Sequence, residues 1–239
     1  MIPKIIHYCW FGRGEMPGLA QRCIASWHQY MPNWEYRLWN EDNFNVDMVP
    51  YTKEAYKAKK FAFVSDFVRL WALEEEGGVY LDVDFVVYKP FDDLLCWDAF
   101  AGFEGSKYSP LMMGVIASRP KGEWVTEQIA YYMGRHFVNN EGSLDLTTNV
   151  VFVSKKMREQ GFVQNGKEQN YKDLHVFPVD YFCPKLTTGE YFRTGNTYCE
   201  HLGLNSWAYS DGNWKAKLGK LIGQRNMTRL IKLKRRLFD

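Results

Sequence analysis

The sequence predicts an α/β fold built on a largely parallel sheet. Three observations carry that expectation. Strand-like and helix-like segments alternate from the first residues. The stretch 61–90 runs from a strongly periodic helix through a double glycine into a buried strand. Short apolar strands and helices then keep alternating as far as residue 177. The 239 residues suit one catalytic-sized domain, 1–213, with a basic appendage, 214–239.

Residues 2–10 are apolar and partly β-branched, which suits a buried first strand. Residues 11–18 (FGRGEMPG) are a glycine-rich loop. Residues 19–30 have helical spacing, with Ile24 and Trp27 on one face, and Pro32 stops them. Residues 34–39 (WEYRLW) alternate as a second strand, 40–44 are turn-like, and 46–60 suit short helices. Phe63, Phe67, Leu70, Trp71 and Leu73 then mark an apolar helical face, which Gly77 and Gly78 end. Glu74, Glu75 and Glu76 lie at the negative end of that helix and read as a solvated turn. Residues 79–82 are the next strand, and 85–88 are expected to continue it. Strands at 99–103, 111–118 and 174–177, helices at 124–137 and 146–157, a polar loop at 159–173 and a strand-like segment at 191–201 complete the pattern.

Composition narrows the function. The chain has 9 Trp, 15 Tyr and 16 Phe, which suits stacking on sugars or bases, although most are expected in the core. A net charge of +2 excludes a nucleic-acid binder by composition. The five cysteines are scattered with no CxxC pair, which argues against a disulfide framework or structural zinc and fits a reducing cytoplasm. No apolar run reaches the roughly 18 residues that cross a bilayer. The opening MIPKIIHYCWFG lacks the layout of a signal peptide.

The chemistry concentrates at Asp82 and Asp84. Side chains alternate along an extended chain, so these two carboxylates are expected on one side of the strand end. Between them a divalent cation would relieve their repulsion and bridge the oxygens of a diphosphate. Asp66 and Arg69, three apart on the preceding helix, share a face. They form either a self-satisfied ion pair or a pair that binds a polyhydroxyl ligand, with Arg69 near phosphate.

These residues spell S-D-x-x-R-x-x-x-L-x-x-x-G-G-x-Y-x-D-x-D, as Ser65, Asp66, Arg69, Leu73, Gly77, Gly78, Tyr80, Asp82 and Asp84. The pattern resembles the DXD-containing sugar transferases of glycosyltransferase family 32. That family includes bacterial capsule and polysaccharide transferases and fungal initiating mannosyltransferases, and it shares its core with glucosylating toxins. The opening IPKIIHYCWFG, the AGFE at 101–104, the YFCP at 181–184 and the late His201, Ser206 and Trp207 extend the resemblance over about residues 2–207.

The resemblance implies a GT-A fold, with a Rossmann-like mixed sheet flanked by helices, a UDP- or GDP-sugar donor, Mn²⁺ or Mg²⁺, and retention of configuration. It implies that Trp10 stacks on the donor base, that Asp66 and Arg69 contact the donor sugar, and that Tyr80 lies near the nucleotide. Asp82 would reach the ribose and a metal-bound water, Asp84 would ligate the metal, and His201 or Asn205 would add a ligand. Ser206 and Trp207 would lie against the diphosphate. The chain departs from the pattern at Leu111, Met112 and Met113, where polar residues are usual, and at Thr147-Thr148-Asn149, which lacks a Thr-Gly-Pro run. Glu104 and Asp145 are the carboxylates available for a double displacement. A front-face route, in which the departing phosphate takes the acceptor proton, is the expectation.

The tail carries nine Lys or Arg and one acid, Asp239, on an amphipathic pattern. It suits an anionic membrane surface, where lipid-linked saccharide acceptors of polysaccharide synthesis would sit, or a solvated basic helix. Two rival functions remain. Asp82-Val83-Asp84-Phe85-Val86 also fits the nucleophile motif of haloacid dehalogenase-like phosphatases, and a non-catalytic nucleotide-sugar binder would share the same fold.

Overall fold

The computed structural model describes residues 1–104, 111–185 and 190–203. In chain order these form β1 (Ile5–Cys9), α1 (Gly18–Tyr30), β2 (Glu35–Trp39), α2 (Pro50–Lys57), α3 (Phe61–Glu76), β3 (Gly78–Leu81) and β4 (Phe85–Val87). There follow β5 (Ala99–Phe103), β6 (Leu111–Ser118), α4 (Glu123–Met133), α5 (Asn149–Glu159), β7 (Gln169–Tyr171), β8 (Leu174–Phe177), α6 (Val179–Phe182) and β9 (Cys199–His201). Asn205, Ser206, Trp207 and the basic tail lie outside the described residues.

Seven strands make one sheet in the order β2-β1-β3-β6-β5-β8-β7. β1 runs parallel to both β2 and β3, and β5 runs parallel to β8. β6 lies antiparallel between β3 and β5, so the sheet is mixed. Alternation along the strands divides the core in two. Tyr80 joins the cluster under α2, α3, α4 and α5, whereas Val79 and Leu81 join the cluster that holds Trp27 of α1 and Phe182 of α6.

The stretch from α3 into β3 is fixed by its glycines. Gly77, at φ +66°, returns its N–H to the Leu73 carbonyl at 2.9 Å and ends the helix. Gly78, at φ +114°, lets the chain pass so close to β1 that a Cβ there would lie 2.7 Å from the Ile5 carbonyl. His7 is fully buried beside this turn. Its Nε2–H donates to the Gly77 carbonyl at 2.8 Å, and its Nδ1 accepts the Trp39 indole N–H at 3.1 Å.

Several expectations are corrected. β4 does not continue β3. The chain leaves the sheet after Leu81, turns through Asp82–Phe85 with the Phe85 N–H on the Asp82 carbonyl at 3.1 Å, and pairs β4 with β9 in a separate two-stranded sheet. A three-residue strand has too few ladder bonds to hold itself, and Trp27 and Ser26 of α1 bind it instead. The polar stretch 159–173 contains β7, whose one buried side chain, Tyr171, gives little apolar signal. The strand-like segment 191–201 is regular only over β9. Glu76 is no solvated turn residue, since Arg37 of β2 pairs with it. Among the described residues no helix is long and apolar enough to cross a membrane.

Candidate active site

The parallel register of β1 and β3 sets the site. His7 lies opposite Tyr80, so the chain ends of both strands, Cys9-Trp10 and Leu81-Asp82, emerge at the same edge of the sheet. Helix α3 packs behind them and sends Asp66 and Arg69 to that edge. The Arg69 guanidinium lies 3.1 Å from Asp66 Oδ1 and 3.4 Å from Asp82 Oδ1. It also donates to the Met113 carbonyl at 2.5 Å and stacks over the Tyr80 ring at 4.6 Å. Tyr80 donates its hydroxyl to Asp82 Oδ1 at 2.8 Å. Four residues of the sequence motif therefore form one buried network, in which the helical ion pair and the functional pair are the same object.

Strand β6 makes room for this network through a pleat slip. Met113 and Val115, two residues apart, face opposite cores, and the pairing of β5 with β6 shifts register between Ala101 and Phe103. Such an irregularity re-aims backbone groups. Here the Met113 carbonyl meets Arg69, and the Gly114 carbonyl accepts the Asp82 N–H at 2.9 Å. The apolar side chains of Leu111, Met112 and Met113 are buried in the two cores, so this segment serves the site through its backbone. Gly114 is needed for the approach, since a Cβ would lie 2.9 Å from Asp82 Oδ2 and 2.6 Å from the Phe85 ring.

The turn after β3 separates the two aspartates. Asp82 faces Arg69 and Tyr80, whereas Asp84 Oδ2 lies 3.0 Å from His201 Nε2. Strand β9 delivers His201, paired with Phe85 in register and stacked on its ring at 4.8 Å. The Leu202 N–H closes the contact on the Asp84 carbonyl at 2.9 Å. The expectation of one extended face is thus replaced by a turn that offers one carboxylate to the arginine and the other to the histidine.

Burial tunes these groups. It pushes the Asp66 carboxyl up to about 6, with Arg69 opposing and Asp82 adding. Asp82 is raised by burial too, against the pull of Arg69 and with the help of Asp84. Burial raises Glu104 to about 7, opposed by His201 and reinforced by Asp82. Burial alone would lower His201, but its bond to Asp84 and the charges of Asp84, Asp82 and Glu104 raise it.

Among the residues proposed from sequence, Asp66, Arg69, Tyr80 and Asp82 are brought together directly. Asp84 and His201 pair beside them. Tyr80 is 1% exposed, buried beneath Asp82, and its hydroxyl orients that carboxylate. Trp10 follows β1 at the same edge, half-buried, its indole N–H held by the Gly14 carbonyl at 2.6 Å. Sequence reasoning missed Cys9, whose thiol burial pushes up to about 12 among Arg69, Tyr80, Asp82 and Ser65. It also missed the backbone acceptors of Met113 and Gly114, for which a glycine in a buried strand was the one signal.

Asp82, Asp84, Glu104 and His201 suit a divalent cation. Asp82, Glu104 and His201 feel one another's charge and Asp84 bonds His201, and such oxygen and imidazole donors match Mn²⁺ or Mg²⁺. Among the described residues no three His, Cys, Asp or Glu side chains are already drawn to ligating distance. Of the metal donors expected from sequence, Asp84, His201 and Asp82 lie at this turn, and Asn205 lies outside the described residues.

Residues 17–101 match the model of a glycosyltransferase sugar-binding region containing a DXD motif. That segment is similar to the DXD glycosyltransferases. Its DXD is Asp82-Val83-Asp84, and its core is the helix and strand that carry Asp66, Arg69 and Tyr80. A glucan organizing enzyme of Cryptococcus neoformans is 38% identical over 82 residues, covering 31% of this chain and 22% of that protein. An uncharacterized glycosyltransferase, L373, of Acanthamoeba polyphaga mimivirus is 25% identical over 87% of this chain and 84% of its own length. The chain thus spans about a fifth of the first relative and most of the second. Among solved structures, the PaToxG glycosyltransferase superposes with a TM-score of 0.51 at 14% identity, covering 67% of this chain and 70% of that one. The likeness is one of fold, and the mixed sheet with its helices is the GT-A type.

Proposed function

We propose that this chain is a retaining, metal-dependent glycosyltransferase that moves a sugar from a UDP- or GDP-sugar to a glycan or lipid-linked saccharide. The observation that carries the proposal is the placement of Arg69 between Asp66 and Asp82, with Asp84 turned to His201 beside them. One half of the site presents a buried cation and a carboxylate to sugar hydroxyls. The other half presents acidic and imidazole donors for a diphosphate-bound cation, which when bound would neutralise charge on the leaving group.

Each residue then has a task. Trp10 offers a flat ring at the strand edge for the base. Asp66 and Arg69 orient the sugar, and Arg69 balances charge that develops as the C1–O bond breaks. Tyr80 and the Gly114 carbonyl hold Asp82 in place. Asp66 and Asp82 are both committed to Arg69, Asp145 is held by Arg135 at 2.7 Å, and burial raises Glu104 to about 7 and so weakens it as a nucleophile. This supports a front-face route, in which the acceptor hydroxyl loses its proton to the departing phosphate. The roles expected of Asn205, Ser206 and Trp207 fall outside the described residues.

The reaction is assigned to polysaccharide synthesis in the cytoplasm, at the inner face of a membrane. The five scattered cysteines with no CxxC pair and the basic 214–239 segment support that location. The test is a panel of UDP- and GDP-sugars with Mn²⁺, scored for release of nucleoside diphosphate. Turnover of at least one sugar nucleotide, with no hydrolysis of an aryl phosphate, is the expected result. Aryl phosphate hydrolysis without sugar-nucleotide turnover would favour the phosphatase reading, and tight donor binding without turnover would favour a binding protein.

A further inference from the structure

A second recess lies beside the donor residues. It is an open cleft of about 790 Å³ between the end of α4, the loop after it and the start of α5. Its walls mix hydrogen-bonding side chains such as Asn140, Asp145 and Thr147 with the apolar Leu146 and Val151. Leu146 is 54% exposed and Val151 is 57% exposed, so the apolar surface is presented to solvent. Amide, hydroxyl and carboxylate groups set among small apolar surfaces are what a neutral saccharide needs, since it offers hydroxyls at its rim and C–H groups on its faces.

The cleft is built before any ligand arrives. Val138 bridges Leu144, and the Asn139 side chain accepts the Ser143 N–H at 2.9 Å to close the loop. Glu54 of α2 accepts the Phe137 and Val138 N–H groups at 2.8 and 2.9 Å. Arg135 binds Asp145 at 2.7 Å and packs over the Phe152 ring. A wall pinned at this many points loses little freedom on binding.

Its position relates it to the donor. The chain that lines the cleft at Thr147 and Thr148 continues into Asn149, whose backbone N–H bonds to Asp66. None of Asp82, Asp84 and His201 lines it. Asn149 is 5% exposed, and its side-chain Nδ2 donates to no group among the described residues. That buried donor sits on the residue that joins the cleft wall at Thr148 to Asp66 through its backbone N–H.

We propose that this cleft is the acceptor subsite and takes a neutral saccharide, an assignment that rests on the glycosyltransferase reading given above. Asp145 and Glu54 set carboxylates at or behind the wall, which disfavours a phosphorylated or sulfated ligand. The same chemistry could serve the donor's own sugar, and the experiment separates the two.

The test follows backbone amide resonances of the full chain during titration with the methyl glycosides of mannose, glucose and galactose. A parallel titration uses UDP- and GDP-sugars with Mn²⁺. Shifts at Asn140, Thr147 and Val151 with at least one glycoside, persisting when nucleotide-sugar and Mn²⁺ are bound, are expected. Val151→Trp, which fills the cleft from an exposed helix position, is expected to weaken glycoside binding by about tenfold or more. Leu146→Trp serves the same purpose from the loop. Shifts confined to other residues, no shift with any glycoside, or loss of the shifts once a nucleotide-sugar occupies the donor site would overturn the assignment. Glycoside shifts at the cleft without any nucleotide response would keep the saccharide site and sink the donor reading instead.

Discussion

Arg69 reaches from helix α3 to the Asp82 carboxylate, 3.4 Å away, and so joins the helix to the DXD turn. The contact makes the arginine structural and, in the proposed reaction, functional. It is 5% exposed, and its loss would leave a buried Asp66 and a half-buried Asp82 without their countercharge. Arg69→Met is expected to destabilise the fold by about 3–5 kcal/mol. Arg69→Lys keeps a charge but loses the fork that serves Asp66, Asp82 and Met113 together, and should lower turnover by about 10²-fold. Chemical denaturation and steady-state rates check the two effects. Full activity in the lysine variant would show that charge alone suffices.

Gly114→Ala tests the close approach of β6 to the turn. The new methyl would lie 2.9 Å from Asp82 Oδ2 and 2.6 Å from Phe85, in a fully packed region. A cost of about 1–3 kcal/mol is expected, with weaker Mn²⁺ binding because the turn shifts. A variant with wild-type stability and metal affinity would mean that the pleat slip does not set the position of Asp82.

The Asp84–His201 pair has its own signature. His201 is raised despite its burial because Asp84 holds the charged ring at 3.0 Å. In Asp84→Asn the carboxylate is gone, and the imidazole midpoint followed by NMR should fall below that of the wild type. An unchanged midpoint would show that the pair does not persist in solution.

His7 predicts how stability depends on pH. Burial pushes its pKa down to about 4, against an ordinary value of 6.5. The folded state then binds fewer protons than the unfolded chain between those values. Stability is complete above about pH 6.5 and is lost as pH falls toward 4, by about 3 kcal/mol in all. Asp66 acts in the opposite sense, since its raised pKa favours the folded state at low pH. Comparing wild type with His7→Gln isolates the histidine. Between about pH 7.5 and about pH 4.5 the variant should lose about 2 kcal/mol less stability than the wild type. Equal losses would contradict the buried neutral ring.

Much of the fold was legible because the decisive signals are local. The periodicity of α3, the paired glycines and the buried run of β3 place Asp66, Arg69, Tyr80 and Asp82 without any knowledge of the tertiary structure. What stayed hidden depends on contacts far apart in the chain. The turn at Asp82–Phe85 exists because β4 finds β9, more than a hundred residues later, and no local pattern announces that pairing. The carbonyls of Met113 and Gly114 carry no side-chain signature at all. Glu104 was visible in the AGFE stretch, but only the fold shows its carboxylate sharing a desolvated field with His201 and Asp82.

The central claim is that Asp84 helps hold a nucleoside diphosphate through a divalent cation. The most direct measurement is the thermal stabilisation of wild-type and Asp84→Ala protein by UDP and by GDP, each with and without Mn²⁺. A rise in Tm for the wild type with one nucleotide only when Mn²⁺ is present, and no rise for Asp84→Ala, is expected. Equal stabilisation of both proteins, or stabilisation of neither by either nucleotide, would contradict it.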